Sequence, residues 1–150
     1  MEETSLKIND INNLTIGGNA KIDTFTTLKD KKQIFNLDSK VDERLNDHVG
    51  ETLEVHNVLI KSIAKKLKTP EIDEETGEIV KDTEYKRICI LIDKDGKSYV
   101  TGSSTFTIQF IKYLQLFGFE EIESENGLLI KIVNKEVRNS NNKALGFELI

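Results

Sequence analysis

The stretch ICILIDKDGKSYVT, Ile88 to Thr101, decides the fold. Its first part, with Tyr85 to Arg87 before it, is aliphatic and free of Gly and Pro, which is the pattern of a strand. Asp93-Lys94-Asp95-Gly96 then supplies the positive φ that a tight hairpin turn needs, and Lys97 to Gly102 returns as a second strand. Ser103 and Ser104 can cap a helix running to Phe117. On that helix Phe106, Phe110, Ile111, Leu114 and Phe117 share one face, and Gly118 stands where a helix-ending glycine belongs.

Working towards the N-terminus, Thr52 to Ile63 reads as a long strand rich in β-branched and aliphatic residues. Its alternation is imperfect, as in a barrel strand that bends and changes partners. Lys65 to Thr83 is a polar connection holding the only proline, Pro70. Glu75-Thr76-Gly77-Glu78 makes a tight turn at its tip, a reading in which the connection is itself a hairpin. Towards the C-terminus, Leu128 to Arg138 and Ala144 to Ile150 read as strands joined by a turn at Asn139 to Lys143.

The order strand, strand, strand, helix, strand, strand predicts an all-β fold with one helix. It is that of a five-stranded OB-fold barrel over residues 47–150 with an N-terminal extension, residues 1–46. Met1 to Ala20 reads as a loosely packed arm able to reach a neighbouring protomer. Phe25, Leu28, Ile34, Phe35 and Leu37 suggest a short strand and a loop. Asp38 to Asp47 reads as a short helix, capped by Asp38 or Ser39 and carrying Val41 and Leu45 on one side.

The net charge is −5, but the charges are segregated along the chain. Lys61, Lys65, Lys66 and Lys68 form one basic run; Lys131, Lys135, Arg138 and Lys143 form another. On a barrel of this order both runs fall at the loops that flank the ligand face. Arg87, Tyr85 and Tyr99 lie on the second and third strands between them. Cations that track phosphates, beside aromatic faces that stack bases, are what single-strand binding requires. Phe25 and Phe35 either pad the open end of the barrel or add stacking platforms. Tyr113 and Phe119 read as core or rim packing.

Other candidate chemistry is weaker. Asp93-x-Asp95-Gly96 resembles the start of a calcium loop, but Ser104 stands where the closing Glu belongs. His48, His56 and Cys89 are too dispersed for a metal site, and Cys89 reads as a small core residue. No nucleophile elbow or phosphate loop is present, so neither an enzyme nor a cofactor is expected. No apolar run is long enough to cross a bilayer, no signal sequence opens the chain, and the single cysteine suits a reducing cytoplasm.

Four stretches carry a resemblance: Gly50 to Val55, the loop tip DEETGEIV (Asp73 to Val80), Ile88 to Thr101 with the helix ending at Gly118, and the closing hairpin IKIVNKEVR…ALGFELI. In these, residues 50–150 resemble the small single-stranded DNA-binding proteins of phages and conjugative plasmids of Gram-positive bacteria. The resemblance implies sequence-independent coating of single-stranded DNA in replication, recombination or conjugative transfer of a mobile element. Double-stranded DNA or RNA are further possible partners. The alternative is an OB-fold protein-interaction module that binds no nucleic acid.

Overall fold

The computed structural model describes residues 24–136 and 143–150, without the side chains at 38–39, 63–65, 80–85, 136 and 143. The expected arm at Met1 to Ala20, Arg138 and the turn at 139–142 lie outside the described residues. Strands β3 (Thr52–Val55) and β4 (Asn57–Ile72) are one run of chain bent at His56. β3 pairs antiparallel with β7 (Leu128–Glu136), whereas β4 pairs antiparallel with β5 (Ile79–Ile92). The bend thus hands the chain from one sheet to another, as the broken alternation predicts. At the bend the His56 N–H donates to the Ile92 carbonyl at 2.8 Å.

The other strands are β1 (Thr24–Thr26), β2 (Glu43–Arg44), β6 (Ser98–Thr101) and β8 (Lys143–Leu149). They form a five-stranded sheet ordered β1-β4-β5-β6-β2 and a three-stranded sheet ordered β3-β7-β8. Helices α1 (Lys31–Ser39) and α2 (Ser104–Phe117) complete a mostly β architecture, one in the extension and one after β6. Both sheets are open. Among the described residues β6 takes β2 as its outer neighbour and does not pair with β8. The free edge of β8 is met instead by Gln109 of α2. Its Nε2 donates to the Phe147 carbonyl at 2.8 Å, and its Oε1 accepts from the Phe147 N–H at 3.2 Å.

Residues 65–83, expected as a polar connection, largely continue β4 and β5 into one long hairpin. The ladder shifts register between Lys66↔Thr83 and Glu71↔Lys81. Pro70 sits in that interval, where its missing N–H removes no ladder bond. The tip turns on Gly77 at φ 74°, with the Asp73 carboxylate accepting from the Glu75 N–H at 2.8 Å.

The N-terminal extension departs most from expectation. The helix lies at Lys31–Ser39, not Asp38 to Asp47, because Asp30 takes the cap and accepts from the Lys32 N–H at 2.9 Å. Asp42, expected inside the helix, instead accepts from the Ser98 N–H at 2.9 Å and the Ser98 hydroxyl at 3.1 Å. That contact lays β2 parallel to β6 and leaves only a short 3₁₀ turn, Leu45–His48. Phe25 is buried and stacks on Phe119 with ring centroids 5.4 Å apart, which makes it core padding.

The main core lies between the two sheets and α2. Phe106, Phe110, Ile111 and Leu114 of α2 pack there with Val58, Ile60, Cys89, Leu91, Ile130 and Phe147. The helix is capped by Ser103, whose hydroxyl accepts from the Phe106 N–H, and ends at Gly118 with φ 74°. Phe117 departs from the expected face: it is 61% exposed, in a last turn that overhangs the core, its ring 5.1 Å from buried Tyr113. A second apolar cluster covers the opposite face of the five-stranded sheet. There Leu59, Ile90 and Ile92 meet Leu28, with Ile34, Leu37 and Val41 of the extension packed over them.

Candidate nucleic-acid interface

Strand pairing gathers one group of the expected site residues on the β4–β5 ladder. Lys61 faces Ile88, Ser62 faces Arg87, Ala64 faces Tyr85, Lys65 faces Glu84 and Lys66 faces Thr83. Lys66 and Lys68 are exposed, Lys68 within the bulged stretch beside Pro70. Lys61 is half-buried, and that burial pulls its ammonium below the ordinary lysine range. Lys65 and Tyr85 are placed by their backbone pairing alone.

Two of the expected contacts lie inside the fold. Successive residues of a strand point to opposite faces, so Arg87 shares a side with Cys89 and Leu91, which are core. Arg87 is 8% exposed. Tyr99 pairs with Leu91 and is likewise 8% exposed. Its hydroxyl donates to Asp93 Oδ2 at 3.3 Å, and the His48 ring meets its own edge-on at 5.1 Å. Burial first, then the Asp93 carboxylate, pushes the Tyr99 phenol up to about 12. Tyr99 is therefore a core residue, not an open stacking face. Nor does it sit beside Arg87, since its partner Leu91 is further along β5.

The other expected basic zone belongs to the other sheet. Lys131 is exposed on β7, between Thr52 of β3 and Glu148 of β8. Lys135 is exposed across from Ala144, with its methylene stem lying over Gly146. Lys143 opens β8.

The outer face of β4, β5 and β6 is the face on which the expected barrel would carry its ligand. It holds Leu59, Ile88, Ile90, Ile92 and Val100, all aliphatic, beneath the extension. Phe35 stands on the far side of that cover: it is 74% exposed on α1 and shares a shallow concavity of about 380 Å³ with Lys31, Lys32 and Asn36. Sequence reasoning singles out Phe35 but misses Lys31 and Lys32. The signal available was the spacing of those lysines, three and four residues before the phenylalanine on a helix.

His48 is held by carboxylates on both ring nitrogens. Nε2 lies 2.6 Å from Glu43 Oε1 and Nδ1 lies 3.0 Å from Glu51 Oε1. The contact with Glu51, then that with Glu43, raises the imidazole above its ordinary range, against the opposing effect of burial. The His48 contact, then Lys97, holds Glu43 below the usual carboxylate range. Cys89 is fully buried, and burial raises its thiol. Asp93-x-Asp95-Gly96 is a hairpin turn, its Asp93 carboxylate accepting from the Asp95 and Lys97 N–H groups at 2.9 and 3.0 Å. Among the described residues no group of three or more His, Cys, Asp or Glu stands together as a metal site. No helix among them is long and apolar enough to cross a membrane. The chain matches no protein-family model, and no curated protein or solved structure is significantly similar to it.

Proposed function

We propose that this protein coats single-stranded DNA without regard to sequence, in replication, recombination or conjugative transfer of a mobile element. Its core would be an incompletely closed OB-type barrel built from β3–β4, β5, β6, β7 and β8, with α2 between the third and fourth strands. One observation carries the reading: β4 and β5 project past the core as a two-stranded arm that presents exposed Lys66 and Lys68 near its base, short of the acidic tip at Glu71, Asp73, Glu74, Glu75 and Glu78. An arm of this kind, with Lys131 and Lys135 exposed on the other sheet, offers cations to a backbone without demanding a base sequence.

Anisotropy of labelled oligo-dT, titrated at low and moderate salt, tests the reading. Binding is expected, with affinity falling as salt rises because phosphate contacts release counterions. The double substitution Lys66→Glu, Lys68→Glu is expected to weaken it and flatten the salt dependence. Failure to bind at low salt would overturn the reading. Double-stranded DNA and RNA competitors separate the other nucleic-acid partners, the latter through the 2′-hydroxyl.

A second reading, a protein-interaction module on the same scaffold, is favoured by a groove of about 630 Å³ between α2 and β8. Leu116, Phe117 and Leu149 line it and are 75%, 61% and 54% exposed. Absence of nucleic-acid binding would favour this alternative.

A further inference from the structure

We infer that a single-stranded nucleic acid crosses the outer surface of α1, with Phe35 stacking on a base and Lys31 and Lys32 holding the flanking phosphates. The inference rests on the proposed function and adds to the arm's lysines a contact on the element that covers the sheet.

Where the extension covers it, the outer face of β4–β5–β6 is aliphatic; the cations on that side, Lys61 and Lys86, stand further along the ladder. Leu59, Ile88, Ile90, Ile92 and Val100 offer neither a cation nor an aromatic ring, and Leu28, Ile34, Leu37 and Val41 pack over them. Arg87 and Tyr99, the cation and ring nearest in sequence, turn to the opposite side. The polar surface over this face therefore lies one layer further out, on α1. Ile34 and Leu37 point inward one turn apart on α1, with Val41 packed just beyond it, which leaves Lys31, Lys32, Phe35 and Asn36 facing outward.

Those outward residues have the chemistry that the covered aliphatic patch lacks. Phe35 is among the most exposed large hydrophobic residues of the fold, and Lys31 and Lys32 stand one turn before it in the same concavity. Residues 29–40 carry four lysines against two aspartates in a chain of net charge −5, so the cover is locally basic on an acidic protein. Of these two, Asp30 is committed to the helix cap; Asp42, just beyond the stretch, is held by Ser98. A second concavity, about 410 Å³, is lined by Lys32, Gln33, Asn36 and Lys40 of the helix region, with Asp30, Asp42 and Ser98 of β6. A strand lying over α1 would thus meet polar donors beside the ring. An anionic membrane is the other partner with a use for lysines and a phenylalanine. It is disfavoured because the aliphatic face of α1 is spent on the sheet, leaving one ring to insert.

The chain has no tryptophan, so Phe35→Trp places a single reporter at the proposed contact. Oligo-dT is expected to quench its fluorescence over the same concentrations at which anisotropy reports binding. Phe35→Ala is expected to weaken oligo-dT binding about 5- to 150-fold, the range of one lost base–aromatic stack. Lys31→Glu with Lys32→Glu is expected to lower the salt slope by about 1.4, two single-strand phosphate contacts. Thermal midpoints close to that of the parent confirm that these exposed positions leave the fold intact. If the parent protein binds and all three readouts stay unmoved, the inference falls while the proposed function stands. If the parent does not bind at low salt, both fall. Fluorescence of the Phe35→Trp variant that responds to anionic vesicles and not to oligo-dT would also overturn it.

Discussion

Strands β4 and β5 form one long hairpin, its ladder shifted in register between Lys66 and Ile72, with two unlike ends. At the core end, Val58, Ile60, Cys89 and Leu91 face the main core while Leu59, Ile90 and Ile92 face the cluster under α1. Both faces are dry. At the far end Ile72 pairs with Ile79, and these two are 55% and 61% exposed. The pairing is antiparallel at both ends; what differs is cover. A two-stranded ribbon is marginal by itself in water, so the arm depends on being continuous with strands that are buried on both sides. Rigidity at the root and exposure at the tip suit an element that reaches for a ligand.

Ile60→Ala tests the root, and the largest effect is expected there. Ile60 is fully buried in the main core, where deleting its branched side chain leaves a cavity as well as losing the transfer of apolar surface. The expected loss is about 2–5 kcal/mol by denaturant unfolding. A loss under about 1 kcal/mol would mean that the site can collapse, and the distinction between root and tip would weaken.

The root also shows what the sequence can tell and what it cannot. The strand ICILI is apolar at both odd and even positions, which states that both faces are covered. It does not state by what, nor which face turns to the main core. Strand pattern alone therefore puts Arg87 and Tyr99 on the wrong side, although their strands and the turn between them are legible. The cover is hard to see because α1 commits only Ile34 and Leu37, with Val41 just beyond it, to packing. Asp30, Asp38 and Ser39 could all cap a helix, and local pattern gives no means of choosing among them. The choice is tertiary: Asp42 finds Ser98 fifty-six residues away, which pulls the later stretch out of helix. Lys66 and Lys68 are legible as exposed because a polar, proline-containing run has too few apolar residues to demand cover. That the two sheets stay open is not legible either, since the bond from Gln109 to the edge of β8 leaves no periodic trace.

The cover is pinned beside the root by His48, between Glu43 of β2 and Glu51, with its ring against Tyr99. Its pH dependence follows from the directions of the shifts. His48 has a raised pKa in the folded chain, so its contribution is fully present below its unfolded pKa and lost as pH rises through the folded one. Glu43 has a lowered pKa, so its contribution is present above its unfolded pKa and lost as pH falls through the folded one. The thermal midpoint should therefore be highest between the two and decline on the alkaline side of His48. His48→Gln is expected to remove that alkaline decline. A profile unchanged by His48→Gln would disconnect this contact from the stability of the cover. The effect should be smaller than that of Ile60→Ala, since the Glu43 and Glu51 carboxylates keep access to water.

The smallest effect is expected from the same change at the other end of the same strand, Ile72→Ala. Ile72 is more than half exposed and meets Ile79 across the ladder at the tip, so little surface is taken from water and no cavity forms. The expected change is within about 0.5 kcal/mol, as for surface positions generally. The pair of substitutions holds residue type, strand and partner strand constant; cover differs, and Ile72 also stands at the register shift beside Glu71. A cost at Ile72 comparable to that at Ile60 would mean that the arm is buried in solution against a second surface. In that case its exposed lysines would line a protein contact, and the salt-sensitive binding ascribed to Lys66 and Lys68 would have to be sought on α1 and on the β7 lysines instead.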